Sequence, residues 1–150
     1  MILIVLIMVP TISLFSKFEN YILFSPEGYE VTVRETQQEG NVFDYPIERK
    51  STNIFLQLEK NNYVYKTHIV KFDRLRDLQT FWYSFVSHHS SALNSAITAI
   101  PLLYGEFNTL TDDDLILSCW YDGISRVFYV IEGREKGVVD DLKFRLKRFN

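Results

Sequence analysis

The chain contains little cysteine and little glycine, and it lacks the short motifs on which many active sites are built. Cys119 is the one cysteine among 150 residues, so no internal disulfide can form. The six glycines form no phosphate-binding loop, no G-x-G-x-x-G fingerprint and no G-x-S-x-G nucleophile elbow. We therefore expect a non-catalytic protein that uses no cofactor.

A strong net charge is also lacking. The formal net charge is −3, which gives no overall positive field, so nucleic-acid binding is not expected. The content of 47% hydrophobic and 23% charged residues is that of an ordinary globular protein. A domain of this length buries roughly 70% of the surface that its unfolded chain exposes, and needs neither a metal nor disulfides to fold.

Aromatic residues, by contrast, make up 15% of the chain. Strand alternation cannot turn all of them toward a core, so we expect some of them at the surface. Aromatic side chains are enriched in protein–protein interfaces. The composition therefore favours a protein partner and leaves a small-molecule ligand open.

Residues 1–16 carry no charged side chain, and residues 2–9 form an unbroken apolar run that ends at Pro10. Such a run fits the apolar region of a signal peptide. It also fits a short membrane anchor if Lys17 extends its amine to the interface. We expect residues 1–18 to be a signal peptide or membrane anchor, and residues 19–150 to be a single α+β domain. The alternative is that residues 1–16 form a buried strand, because Ile and Val favour strands.

The remaining chain predicts an antiparallel sheet with a long middle helix and a C-terminal helix. Three hairpins are predicted from alternating apolar residues and turn residues. The first joins residues 21–25 to 29–33, the second joins 54–58 to 63–72, and the third joins 115–121 to 126–132. Residues 34–53 are polar and predict a long connection with one short strand within residues 42–47, and a further strand is predicted at residues 102–107.

Two segments have helical spacing. Apolar residues recur every three or four positions through residues 73–97, and Asp73 is placed to cap the first turn. The sequence HHSS at residues 88–91 weakens the helix, so the alternative is a helix that stops at Ser87 and then resumes. Val138, Leu142, Leu146 and Phe149 form an apolar stripe on the final helix.

The side chains that could act in catalysis or metal binding do not form a recognisable site. His88 and His89 are adjacent and cannot both bind one ion from a straight helix, and His68 lies twenty residues earlier. Cys119 lies in an alternating strand and is expected in the core. No metal site is predicted, and the weak candidates for a calcium site are Asp112, Asp113 and Asp114.

Charge is unevenly distributed along the chain. No Lys or Arg occurs between Arg76 and Arg126, an interval whose acids are Asp77, Glu106, Asp112, Asp113, Asp114 and Asp122. If folding gathers these acids on one surface, that surface would attract a basic partner or a cation.

The segments FSPEGYEVTV at residues 24–33, LILSCWYDGISRVFYVIEG at 115–133 and VVDDLKFRLKRF at 138–149 resemble the PsbP-like and DcrB-like superfamily of small extracytoplasmic domains. Arg126, Tyr129, Phe144 and Phe149 stand where its pattern has Arg, Tyr and Phe. The resemblance implies an antiparallel sheet packed between helices, and a location in the periplasm or thylakoid lumen. It also implies a non-enzymatic role in assisting a membrane-associated complex. No cysteine lies near the N-terminus, so a lipid anchor is not expected.

Three functional hypotheses follow. The first is a non-catalytic accessory or binding domain, exported or tethered to a membrane through its N-terminal segment. The second is a small soluble acidic protein of the immunity or antagonist type, with residues 1–16 as a buried strand. The third is a divergent hydrolase that uses His88 or His89, for which the sequence offers the least support.

Overall fold

Nine strands, two α-helices and one 3₁₀-helix are found in the computed structural model, which describes residues 17–90 and 95–149. The 3₁₀-helix comes first, at Lys17–Leu23. In chain order the other elements are β1 (Glu30–Gln38), β2 (Asn41–Val42), β3 (Tyr45–Pro46), β4 (Ser51–Lys60), β5 (Tyr63–Phe72), α1 (Leu75–His89), β6 (Ala96–Ile100), β7 (Tyr104–Leu110), β8 (Ile116–Asp122), β9 (Val127–Gly133) and α2 (Lys136–Arg148).

Seven of the strands form one sheet in the order β1-β4-β5-β9-β8-β7-β6, and every neighbouring pair is antiparallel. Strands β2 and β3 form a separate two-stranded ladder. Helix α1 packs on one face of the large sheet, and α2 and the 3₁₀-helix pack on the other. The predicted α+β class, with a large antiparallel sheet and two helices, is confirmed.

Both faces of the central strands are covered, which produces two cores. On one face, Trp82 and Phe85 of α1 pack with Phe128 of β9. On the other, Leu142 of α2 packs with Ile131 of β9. Strand β9 is therefore buried at nearly every position instead of alternating between core and solvent.

The second and third hairpins were predicted correctly. Strands β4 and β5 pair along their whole length, and the turn residues Asn61 and Asn62 have φ of 55° and 64°. Asparagine tolerates this left-handed conformation better than most residues, which explains the tight turn. In the third turn, one carboxylate oxygen of Asp122 accepts the N–H of Ile124 at 2.9 Å.

The first predicted hairpin is wrong. The chain around Tyr21 is a 3₁₀-helix instead of a strand, and β1 pairs with β4. Phe18, Tyr21 and Phe24 are all buried against the α2 side of the sheet. Their spacing of three is the period of a 3₁₀-helix, in which residues i and i+3 lie on one side.

The polar segment at residues 34–53 contains more strand than was predicted. Strand β1 continues to Gln38 and β4 begins at Ser51, so the connection is reduced to the small β2–β3 ladder. Strand β1 lies at the edge of the sheet and is exposed along most of its length. An edge strand needs backbone pairing on one side only, so a polar sequence can form it without the apolar alternation that sequence reading relies on.

The middle helix is shorter than predicted. It ends at His89, Ser90 is already extended with ψ of 135°, and residues 96–100 form strand β6. Asp73 does not cap it, since the N-cap position is Arg74 and no side chain bonds there. The following strand runs over Tyr104–Leu110 instead of residues 102–107.

The expectations for residues 1–16 lie outside the described residues. Of the predicted leader segment, Phe18 is described, and it is buried in the core beside Tyr21. No helix in the described ranges is long and apolar enough to cross a membrane.

Candidate functional site

An acidic cleft of about 370 Å³ opens at one end of the sheet, between the β2–β3 ladder, the end of α1 and the β7–β8 loop. Four carboxylates line it, together with the two adjacent histidines: Asp44, Asp112, Asp113, Glu132, His88 and His89. Within the described residues, none of these carboxylates belongs to a salt bridge.

The acids of the cleft repel one another. Burial raises the pKa of Glu132, the negative charges of Asp113 and Asp44 raise it further, and Lys66 on the neighbouring strand opposes this. Burial lowers the pKa of His89, which is also bonded through Nδ1 to the backbone oxygen of Phe85 at 2.8 Å. Because four carboxylates line the cleft, and no lysine or arginine of the described residues does, it is electrostatically negative at neutral pH.

The candidate calcium ligands are only partly brought together. Asp112 and Asp113 reach the cleft, whereas Asp114 does not line it and lies in a tight turn with φ of 58°. The N–H of Asp114 donates to the Thr111 backbone oxygen at 3.0 Å within that turn. Over the ranges 17–90 and 95–149, no three His, Cys, Asp or Glu side chains are grouped so as to hold a metal ion.

The other acids of the middle interval lie elsewhere and have partners. Asp77 lies 3.9 Å from Arg49, and Asp122 accepts the Ser125 hydroxyl at 2.8 Å. Glu106 lies under α2 and contacts its lysines. Folding therefore gathers only two of the six acids in that interval, together with Asp44 and Glu132 from other parts of the chain.

Glu106 belongs to a satisfied polar network that joins β7 to α2. Lys143 donates to one of its carboxylate oxygens, and Lys147 lies 3.4 Å from the other. Burial alone would raise the pKa of Glu106, but hydrogen bonds from Lys143, Tyr104 and Asn108 outweigh it and lower the pKa to about 2. Because both oxygens of Glu106 are bonded to lysines of α2, this network links β7 to the helix. It leaves neither oxygen of Glu106 without a partner.

The three histidines are divided between the interior, which holds His68, and the acidic cleft, which His88 and His89 line. His68 is buried, where its Nδ1 faces the Asn53 side-chain oxygen at 3.0 Å and its Nε2 accepts the N–H of Phe43 at 3.3 Å. His88 and His89 contact each other and the ring of Tyr45. The hydrogen bonds of His68 and His89 thus go to an amide and to backbone groups instead of a nucleophile or a carboxylate.

Cys119 is fully buried on β8, as its strand position predicts. Burial raises the pKa of its thiol well above the usual value, although the charge of Lys143 opposes this. A reactive cysteine needs a lowered pKa and access to solvent, and Cys119 has neither.

Four exposed apolar side chains are grouped at the β6 edge of the sheet. All five residues of β6 are exposed, and the side chains of Ile97 and Ile100 are 58% and 56% exposed. Leu102 and Leu103, in the turn that follows, are 57% and 54% exposed. We call β6 with these two leucines the β6 edge.

The β6 edge lacks the protection that the opposite edge has. Strand β1 carries Glu30, Arg34 and Glu35, and its pairing shifts register between Val31 and Val33. Charges and bulges are the usual devices that keep an edge from pairing with another chain. Residues 90–105 contain no charged side chain, and no register shift interrupts the pairing of β6 with β7.

Sequence reasoning missed the β6 edge because the helical spacing was extended through it. A signal was present, since three of the five residues at 96–100 are β-branched and the run stops at Pro101. Proline commonly ends a strand, because it cannot donate to the ladder.

No protein-family model matches the chain, and no curated protein or solved structure matches it. The resemblance to the PsbP-like and DcrB-like superfamily therefore stays a prediction.

Proposed function

We propose that this chain is a non-catalytic protein-binding domain, and that it binds its partner by adding a strand to the β6 edge. The observation that carries this proposal is the exposed, uncharged strand β6 at an otherwise protected sheet. An exposed edge presents a row of free N–H and C=O groups, which an extended segment of another chain can pair with.

The state of the reactive side chains supports binding over catalysis. Cys119 and His68 are held in the interior, where burial shifts their pKa values away from reactivity. Glu106 is bonded on both of its oxygens. A general base or nucleophile must be able to reach its substrate, and the buried Cys119 and His68 cannot, while both oxygens of Glu106 are already engaged by lysines.

Exposed apolar side chains next to the edge strengthen the same proposal. Ile97 lies opposite Phe107 in the sheet and therefore projects on the α1 side, whereas Ile100 lies opposite Tyr104 and projects on the α2 side. A strand added at β6 would cover both isoleucines. Backbone bonds would supply affinity, and the alternating side chains would supply specificity.

Photo-crosslinking in the producing cells tests the binding surface. With a photoreactive amino acid in place of Thr98 on β6, we expect a discrete covalent adduct, because the partner strand would lie directly beside that position. The matched control is Thr36 on the protected strand β1, where we expect none. The adduct should also disappear when Ile97→Lys is added. Equal labelling at both positions, or an adduct that is insensitive to Ile97→Lys, contradicts the proposal.

We further propose that residues 1–16 export the domain or hold it at a membrane, where it assists a membrane-associated complex. The uncharged apolar run supports this, as does the resemblance to extracytoplasmic domains. The location expected from that resemblance is the periplasm or the thylakoid lumen.

Cell fractionation with N-terminal sequencing tests this location. We expect the chain either in the membrane fraction or, without its first residues, in an extracytoplasmic compartment. Recovery of the chain from the soluble cytoplasm with Met1 still attached contradicts export and tethering. The second hypothesis, a soluble protein of the immunity or antagonist type, would then replace the exported domain. For such a protein the acidic cleft is a suitable surface to bind a basic partner.

A further inference from the structure

We infer that the strand added at the β6 edge is β6 of a second copy of this chain, paired antiparallel about a twofold axis that passes beside Thr98. This inference rests on the proposed function, because it names the partner at the same surface. It would join two seven-stranded sheets into one continuous sheet, with both copies of α1 on the same face.

The residue order of β6 is complementary to itself. In a pairing centred on Thr98, Ala96 of each copy lies opposite Ile100 of the other, and Ile97 lies opposite Ala99. Each large side chain is thus set beside a small one, and the two threonines meet at the axis. Cross-strand pairs of threonine, and of aliphatic residues on one face, are the units that stabilise a sheet.

The charge distribution also favours a second copy. Residues 90–105 contain no charged side chain, so two copies bring no like charges together in that stretch. An edge that selects a different, charged partner would be expected to carry complementary charge.

The opposite edge explains why the assembly would stop at two copies. After β6 pairs with β6, the free edges of the joined sheet are the two β1 strands. These carry Glu30, Arg34, Glu35 and the register shift, all of which oppose further pairing. Pairing of one surface with itself about a twofold axis gives a closed dimer.

Contact between the copies is confined to one five-residue strand and the apolar turn at Leu102 and Leu103. Stable interfaces bury about 800 Å² on each partner. A single short strand with its flanking side chains buries an area toward the lower end of the range for specific interfaces. We therefore expect a reversible dimer whose population rises with concentration.

A cysteine at the axis tests the inference directly. Paired residues on neighbouring strands have Cβ atoms about 4.5–5.5 Å apart, so Thr98→Cys would bring two thiols within reach of a disulfide or a short bismaleimide. Cys119 is buried and does not interfere. In the full chain we expect at least about tenfold more crosslinked dimer from Thr98→Cys than from Thr36→Cys, the matched exposed threonine on β1.

A second variant checks the same contact without crosslinking. Thr98→Lys would place two positive charges together at the axis, so sedimentation should show the dimer of the unmodified chain replaced by monomer, whereas Thr36→Lys should leave the dimer intact.

Equal crosslinking of the two cysteine variants overturns the inference, as does a purely monomeric unmodified chain. A Thr98 photo-adduct with a different protein overturns the second copy but keeps the proposed function, and the absence of any adduct overturns both.

Discussion

Replacing Phe128 with alanine is expected to lower the free energy of unfolding by about 3–5 kcal/mol. The side chain is fully buried on the α1 side of β9. Its ring centroid lies 5.1 Å from those of both Phe81 and Phe85, and 6.3 Å from that of Trp82. Truncation removes contacts with all three helix residues at once and leaves a cavity that they cannot fill. Urea unfolding followed by circular dichroism measures the loss.

Phe144→Ala is the matched control for this prediction. Phe144 lies on α2 with 54% of its surface exposed, and the guanidinium of Arg148 lies 4.3 Å from its ring centroid. We expect this change to cost less than about 1 kcal/mol, because little apolar surface is returned to water. Equal costs for the two phenylalanines would contradict the packing of α1 on the sheet.

The stability of the fold is expected to fall by about 3 kcal/mol between pH 7 and pH 4 because of His68 alone. Burial, together with the smaller effect of the nearby charge of Lys66, lowers the pKa of His68 from 6.5 to about 4. Between these pH values the unfolded chain binds a proton that the folded chain excludes. The contribution is therefore complete above about pH 6.5 and is lost as the pH falls toward 4.

His68→Gln tests this pH dependence, because it removes the titrating group and keeps an amide for hydrogen bonding. Denaturant unfolding at several pH values should show a flatter profile for the variant by about 3 kcal/mol over this range. His88→Gln serves as the control for the replacement of an exposed histidine, and its profile should keep the fall between pH 7 and pH 4 because His68 is still present. A parallel profile for His68→Gln contradicts the prediction.

Protonation of His68 also has a structural consequence. Its Nε2 accepts the N–H of Phe43, which lies in the turn between β2 and β3. A protonated ring has two donors and no acceptor, so this bond is lost and the turn is released from β5. The β2–β3 ladder forms one wall of the acidic cleft, so the cleft is expected to loosen at low pH together with the fold.

The elements that the sequence predicted best are those with local causes. The β4–β5 hairpin depends on adjacent strands and on two asparagines that accept a left-handed turn. The β8–β9 hairpin has a similar origin in Asp122, whose carboxylate accepts N–H groups from its own turn. Burial of Cys119 also followed from its place in an alternating strand. The information for each of these features lies within a short stretch of sequence.

The elements that were missed depend on contacts between distant parts of the chain. The segment around Tyr21 became a 3₁₀-helix because Tyr21 and Phe24 pack on Phe149, at the far end of the chain. The acidic cleft joins Asp44 to Asp113 and Glu132, which the charge pattern of the middle interval did not predict. No local pattern identifies such neighbours.

The β6 edge shows most clearly the difference between features with a local cause and features that depend on distant contacts. Sequence alone determined that the chain would form an antiparallel sheet with helices packed on it, without internal disulfides and without a recognisable catalytic motif. Only the tertiary structure decided the strand order, through pairings such as the bond from the Thr67 hydroxyl to the Val130 backbone oxygen, 63 positions apart. Strand order decides which strand lies outermost, because an edge is defined by the absence of a neighbour on one side. The exposed surface from which a partner is inferred is therefore a property of the assembled sheet, even though its residues were visible in the sequence.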